Sequence, residues 1–495
     1  MILKNTAIVS FTTFLSRIFG YVRDVLIAST LGAGIYNDLI IVALRIPNLF
    51  RTIFGEGAFS ASFIPIYSGI LGSEGKTSAL NFARLAQTFL CLAVLIFCTL
   101  LYIFMPFLIK LTAPGFKEPA ILELAISLSR ITTPYLALIS IVALQGGVLN
   151  STKHYFPFAA APIILNLTII AFVLQVASKD ERVFFISYGV LIAGVLELLW
   201  MLYFLKKHRL LFFFCRFRMT KELILLIKRM IPAMVGSGVA QINILIDTII
   251  ASFIPHGMSY LYYADRIYQL PLALLGTATG IVILPMLASA FKNNDLTKAI
   301  AIQNQSIKLL LLFSIPAAFA LFLLSFEIVH VLFEHGAFTE NSTRETSAAL
   351  RAFAIGLPAY VLVKIFVANL HAYGDTKTPV KIAAICIFNN AIISLLLLQD
   401  YRHVGIAFAA SASAWLNVAS LYYKLTTSGR FKLGAAIVSN GVKYIISASV
   451  MVAGLIFTQH MLHGGNPYFN LLILLISGLF IYAAISLLLE WLYPS

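Results

Sequence analysis

An all-α integral membrane fold of about fourteen transmembrane helices follows from three features of the sequence. The chain is 60% hydrophobic and only 11% charged over 495 residues, far too little charge to cover a soluble protein of that length. Apolar runs near twenty residues recur from end to end, each long enough to cross a hydrocarbon core of ~30 Å. The runs are continuously apolar rather than alternating, which separates helices from barrel strands.

Taken in order, spans 1 to 6 are expected near 8–28, 36–66, 86–108, 121–147, 155–177 and 184–205. Spans 7 to 12 follow near 224–253, 262–290, 308–332, 348–372, 379–398 and 403–424, and spans 13 and 14 near 437–459 and 469–491. This gives an N-terminal six-helix lobe (1–205), a basic connecting loop (206–223), a C-terminal six-helix lobe (224–432) and an appended helix pair (433–495).

The formal charge of +15 is distributed as topology rather than as a nucleic-acid footprint. The loops on the side of the N-terminus, with the helix ends that abut them, hold most of the 35 Lys and Arg. By the positive-inside rule both termini of this multi-pass membrane protein are expected in the cytoplasm. The connecting region is densest, with Lys206, Lys207, Arg209, Arg216, Arg218, Lys221, Lys228 and Arg229, and it suits contact with anionic lipid head groups. Span 1 carries Arg17, Arg23 and Asp24 and no small-residue cleavage site, unlike a signal peptide. Cys91, Cys98, Cys215 and Cys386 are scattered, with neither metal spacing nor a disulfide frame.

The chain repeats itself at a separation of about 224 residues. Asp24-Val-Leu-Ile-Ala-Ser29 reads against Asp247-Thr-Ile-Ile-Ala-Ser252, and Pro134-Tyr135 against Pro358. Thr152-Lys153 reads against Thr376-Lys377, Asn166 against Asn390, and Arg45-Ile46 with Gly55 against Arg266-Ile267 with Gly276. Each repeat holds an even number of spans, so both enter the membrane from the same side as parallel repeats around a membrane-normal axis. Such an arrangement encloses a central cavity and permits alternating access.

Charges stand where lipid is expected. An ionised side chain at mid-membrane costs ~2.5–3.5 kcal/mol on insertion scales, so it faces a partner, water or a substrate. Span 1 carries Arg17, Arg23 and Asp24, and span 2 carries Asp38, Arg45, Arg51 and Glu56. Asp247 lies in span 7, Asp265 and Arg266 in span 8, and Lys364 in span 10. At 100° per residue Arg17 and Asp24 share one face of span 1, with Arg23 a quarter turn away. Pairs such as Arg17 with Asp24, or Arg45 with Asp38, would make structural ion pairs. Arg17, Arg23, Arg51 and Arg266 outnumber the nearby acids, however, and guanidinium groups suit bidentate phosphate contacts. A surplus of Arg predicts an anionic substrate, whereas an exporter of cationic drugs calls for a surplus of carboxylates.

Gly20, Pro47, Gly55, Gly57, Pro65, Pro271, Gly276, Gly280 and Pro285 fall in the same charged spans 1, 2 and 8, where each proline opens the helical ladder. Asp247 and Asn390 suit a coupling cation, or alternatively an interhelical hydrogen-bonded pair. Between Tyr444 and Leu489 there is no Lys, Arg, Asp or Glu. The pair of spans 13 and 14 therefore reads as a shield against lipid, or as a groove for a long lipid tail if the substrate is lipid-linked.

At these residues the chain resembles the MurJ (MviN) lipid II flippases of the multidrug/oligosaccharidyl-lipid/polysaccharide exporter superfamily. The likeness is carried by Ser16-Arg-Ile-Phe-Gly-Tyr-Val-Arg-Asp24, by Pro47-Asn-Leu-Phe-Arg51 with Gly55-Glu-Gly-Ala-Phe-Ser60, and by Tyr262-Tyr-Ala-Asp-Arg266 with Leu270-Pro271. Leu332-Phe-Glu-His-Gly-Ala-Phe-Thr339 and Asp375-Thr-Lys-Thr-Pro379 extend it over most of the chain. The resemblance implies fourteen helices, with spans 1, 2, 7 and 8 lining a cationic cavity and spans 13 and 14 forming a groove for the polyprenyl tail. It implies substrate-binding roles for Arg17, Arg23, Asp24, Asp38, Arg51, Glu56 and Arg266. It also implies driving by membrane potential, with Na+ or another coupling ion at Asp247 and Asn390 and no further cofactor. Position 394, one turn after Asn390, is Ser rather than an acid.

The function so implied is that of a flippase, not an enzyme. The pyrophosphate of undecaprenyl-pyrophosphate-disaccharide-pentapeptide would bind the arginines, its tail would stay in the groove, and alternating access would expose the head group outside. The expected partners are lipid II, membrane lipids and other cell-wall synthesis proteins. The rival readings are an ion-coupled exporter of drugs or of other polyprenyl-linked oligosaccharides, and a non-transporting membrane scaffold.

Overall fold

A computed structural model describes residues 2–52, 59–175, 178–429, 431–462 and 465–493. Among them there is no strand; the chain is all-α. It divides into two compact units, residues 1–256 and 257–495.

The first unit holds α1 (Ile2–Leu31), α2 (Ile35–Phe50), α3 (Phe59–Ser73), α4 (Lys76–Thr112), α5 (Pro119–Thr132), α6 (Tyr135–Ser151), α7 (Phe156–Val173), α8 (Lys179–Lys207) and α9 (Lys221–Ala251). The second holds α10 (Gly257–Leu272), α11 (Ala278–Lys292), α12 (Leu296–Leu323), α13 (Ser325–Phe333), α14 (Glu340–Ala372), α15 (Lys377–Thr427), α16 (Ala435–Met461) and α17 (Pro467–Leu492).

These seventeen helices are compatible with fourteen spans. Spans 2, 4, 8 and 9 each appear as two helices, and spans 11 and 12 run together as α15. The breaks have local causes. Between α5 and α6 stands Pro134, which lacks the N–H that would continue the ladder. α10 carries Pro271 in its last turn, and between it and α11 the backbone widens into a π-turn over Ala273–Thr277, the loosened geometry common at functional sites. Inside α15, Arg402 takes φ 48 and ψ −132, so the axis turns there. A straight helix of 51 residues would be about 76 Å long, more than twice the hydrocarbon thickness.

Among the described residues, nine helical segments are long and apolar enough to cross a membrane. Their surfaces fit that medium. Ile96, Ile103 and Phe107 of α4 are exposed, as are Leu479, Phe480 and Leu487 of α17, a density of bare apolar side chains that a water-facing surface does not carry. Helix ends are marked by ordinary capping chemistry. Ser178 accepts from the Glu181 amide at the start of α8, and Thr220 from the Leu223 amide at the start of α9, both at 3.3 Å. α8 also carries Asp180 and Glu181 in its first turn and Lys206 and Lys207 in its last, charges that complement the helix dipole at each end.

Two glycines permit close approach. A Cβ on Gly115 would fall 1.8 Å from the carbonyl oxygen of Ser252, whose hydroxyl accepts from the Gly115 amide at 3.0 Å. This contact ties the end of α9 to the α4–α5 loop inside the first unit. A Cβ on Gly194 of α8 would lie 2.7 Å from the ring of Tyr135.

Candidate functional site

In the first unit the charged residues gather on α1, α2 and α8. Arg23 of α1 pairs with its neighbour Asp24: Nη2 and Nε donate to Oδ1 at 2.7 and 3.0 Å. Its Nη1 donates to Oδ1 of Asn166 on α7 at 3.0 Å, while Asn166 Nδ2 donates to the Ser16 carbonyl at 3.1 Å. α1 and α7 are thus joined at mid-helix by one amide that serves a guanidinium and a backbone oxygen together. Asp24 is only 3% exposed; a carboxylate so buried requires such a charge-assisted contact.

The pairing of Arg17 with Asp24 expected from their shared face is not formed. Asp24 is taken instead by its sequence neighbour Arg23. Arg17 stands exposed on α1, about 9 Å along the axis from Arg23. Among the described residues it meets no carboxylate.

On α2, Asn37 and Asp38 are both buried and Arg45 is partly buried, as is Arg51 immediately past its last residue. Glu56, the remaining acid of the expected set, lies with Gly55 outside the described residues. Arg51, at the end of α2, reaches a partly open cavity of about 330 Å³ also lined by α1, α6, α7 and α8. Its wall also carries Glu197 of α8 and Tyr135 of α6. Glu197 is 1% exposed, accepts from the Tyr135 hydroxyl at 3.5 Å, and feels the charge of Arg51. Sequence reasoning passed over Glu197. The signal was present: it is the lone acid in the run Gly189-Val-Leu-Ile-Ala-Gly-Val-Leu-Glu-Leu-Leu-Trp200, and an ionisable residue inside a span marks function by default.

In the second unit α10 presents Tyr262 and, one turn on, the adjacent Asp265 and Arg266. The Arg266 guanidinium lies 4.7 Å from the centre of the Tyr262 ring, and its Nη2 donates to the Tyr262 hydroxyl at 3.0 Å. Asp265 accepts from Gln269 one turn on. The ring thus steers Arg266 along the helix, holding its planar fork by both a π-face and an oxygen. This stands two turns before the π-widened segment.

Of the two residues expected to hold a cation, Asp247 belongs to the first unit and Asn390 to the second. Asp247 accepts from Asn243 Nδ2 at 3.2 Å. Asn390 is buried on α15, one turn before buried Ser394, and Asn369 of α14 is also buried. Lys364 is exposed on α14. Among the described residues no cluster of three His, Cys, Asp or Glu suited to a metal occurs.

Comparison with known proteins adds to this geometry. The profile of the family described as "Lipid II flippase MurJ" matches residues 27–476. The chain is 40% identical over 460 residues to a "Probable lipid II flippase MurJ" of Rickettsia prowazekii (strain Madrid E), covering 92% of this chain and 90% of that one. It is 37% identical over 466 residues to the protein of the same name from Rhizobium tropici, covering 93% and 87%. Among solved structures it is similar to "Lipid II flippase MurJ, inward closed conformation", with a TM-score of 0.83 at 29% identity over 97% of this chain and 98% of that one. It also shares its fold with an inward-facing multidrug resistance MATE family transporter of the MOP superfamily, with a TM-score of 0.69 at 13% identity over 84% and 96% of the two chains.

Proposed function

Because the chain belongs to the lipid II flippase MurJ family, we propose that it carries lipid II from the inner to the outer leaflet of the bacterial cytoplasmic membrane by alternating access, with Arg17, Arg23, Arg51 and Arg266 receiving the pyrophosphate. The family is one of transporters, and the chain is a multi-pass membrane protein. The reaction breaks no covalent bond. What the protein supplies is a route for a doubly charged head group past the hydrocarbon core.

One observation carries the arginine assignment. Arg23 has its acid in Asp24 and its amide in Asn166, whereas Arg17, on the same helix, stands exposed with no carboxylate among the described residues. Permanent positive charge left over inside a span is stabilised when a diphosphate visits, and guanidinium meets phosphate oxygens in bidentate fashion. The exposed apolar surfaces of α16 and α17 suit the polyprenyl tail. Both termini lie in the cytoplasm on this reading, as the Lys and Arg distribution requires. Asp247 and Asn390 offer the oxygen chemistry that Na+ or a similar coupling cation takes, and flipping rates with and without a Na+ gradient test that part.

The deciding experiment depletes the protein and follows lipid II by a leaflet-resolved assay. Accumulation confined to the inner leaflet is expected, reversed by the wild-type chain and not by Arg17→Ala, Arg23→Ala or Arg266→Ala expressed at equal level. Unchanged leaflet distribution on depletion overturns the function. Full rescue by all three variants overturns the arginine assignment alone.

A further inference from the structure

The cavity shared by Arg51 and Glu197 has features that anion binding does not explain. A pocket built only to receive phosphate gains nothing from a carboxylate on its wall, because that charge repels the ligand. Yet Glu197 is 1% exposed, and the only hydrogen bond it accepts among the described residues comes from Tyr135 at 3.5 Å, a long contact. The Arg51 charge acts on it from α2. The rest of the wall is mostly apolar, with Ile139, Val142 and Phe158 among its side chains. Of the titratable groups facing the cavity, Arg51 comes from α2, Tyr135 from α6 and Tyr155 from the start of α7; α1 contributes Val9, Thr13 and Ser16, which do not titrate.

Gly194, one turn before Glu197, lets the Tyr135 ring pack close against α8, where a Cβ would come within 2.7 Å of it. The hydroxyl is particular to the first repeat, since Pro134 is followed by Tyr135 and its counterpart Pro358 by Ala359.

We propose that Glu197 is a proton-exchanging counter-ion of Arg51: when a phosphate group of the substrate engages Arg51, the carboxylate left behind in the cavity takes up one proton from the aqueous phase. This rests on the reading that Arg51 receives the pyrophosphate. The balance is simple. Arg51 keeps its proton and exchanges one anionic partner for another, and Glu197 passes from carboxylate to carboxylic acid by forming one O–H bond. A carboxylate deprived of its cation inside an apolar wall is disfavoured against its neutral form. The protonated acid can turn its new O–H to Tyr135, which accepts as well as donates. On release of the phosphate, Arg51 returns and the proton leaves. Glu197 is therefore a positioning residue, acting on substrate through Arg51, and it couples substrate binding to proton uptake.

The test uses the full-length protein purified in detergent, with lipid II as the probe. Binding is measured from pH 6 to pH 8, and proton uptake is followed with a pH indicator in weak buffer. Wild type is expected to take up close to one proton per lipid II bound beyond the Glu197→Gln level. Its Kd should rise about tenfold per pH unit, relative to Glu197→Gln, across the range of uptake. Glu197→Gln, nearly isosteric and still able to accept from Tyr135, reports the titration of the lipid pyrophosphate alone. Glu197→Asp, shorter but ionisable, should restore part of the uptake. If wild type binds lipid II with the same uptake and the same pH profile as Glu197→Gln, the proposal is overturned while the function stands. If wild type binds no lipid II, the proposed function fails first and the coupling with it.

Discussion

Arg23 and Asn166 are joined across 143 positions of sequence by a 3.0 Å hydrogen bond, Nη1 to Oδ1, that fixes α1 against α7. The same amide donates to Ser16, so its orientation is set by both contacts: oxygen to the guanidinium, nitrogen to the carbonyl. Through it, the Arg23–Asp24 pair is presented as a rigid unit rather than as two mobile side chains.

Replacing Asn166 by Leu is expected to remove both contacts and leave the Arg23 edge unsatisfied in a partly buried site. Hydrogen bonds to charged groups contribute about 1.5–3 kcal/mol. Thermal unfolding in detergent should show that loss, and rescue of depleted cells should fall. Asn166→Asp, which keeps an acceptor for Arg23 and loses the donor to Ser16, should lie between the two.

The Tyr262–Arg266 contact separates into two parts. Tyr262→Phe deletes the hydroxyl acceptor and keeps the ring, whereas Tyr262→Leu deletes both. A cation over an aromatic face contributes about 0.5–2 kcal/mol according to its exposure. Lipid II affinity should therefore fall in the order wild type, Phe, Leu. Equal affinities for all three would show that Tyr262 does not steer the guanidinium.

Arg402 holds φ 48 and ψ −132 at the turn inside α15, a region that side chains bearing a Cβ rarely occupy. Its neighbour His403 is buried, with Nε2 on the carbonyl of Glu345 at 2.9 Å, so the strained turn is held in place by its surroundings. Arg402→Gly is expected to stabilise the chain by about 1 kcal/mol, read as a raised midpoint of thermal unfolding. Arg402→Ala should give no such gain, because alanine keeps the Cβ.

His154 and His208 stack with ring centres 3.7 Å apart beside the α6–α7 and α8–α9 connections. Burial, the neighbouring His154 and then Lys207 hold the His208 imidazolium form below its ordinary value of 6.5. The unfolded chain therefore binds this proton first. Stability conferred by the stack is intact above about pH 6.5 and declines as the pH falls from there toward the folded value, below which the loss levels off. His208→Phe should keep the ring contact and flatten the acid side of a plot of unfolding midpoint against pH.

Much of this architecture could be read from residue order alone. The helical fold class rests on hydrophobic runs, which are local or periodic signals, and periodicity survives without coordinates. The charged residues of α1, α2 and α10 were conspicuous for the same reason, since a charge in an apolar run needs no neighbour to be noticed. Partners are another matter. Helical angles put Arg17 with Asp24, but the adjacent Arg23, held by an amide arriving from α7, took that acid. The cavity beside Arg51 depended on side chains from five helices meeting near Glu197, an arrangement with no signature along the chain. Charge and hydropathy are properties of single positions, whereas pairing and enclosure depend on which distant side chains packing brings within a few ångströms.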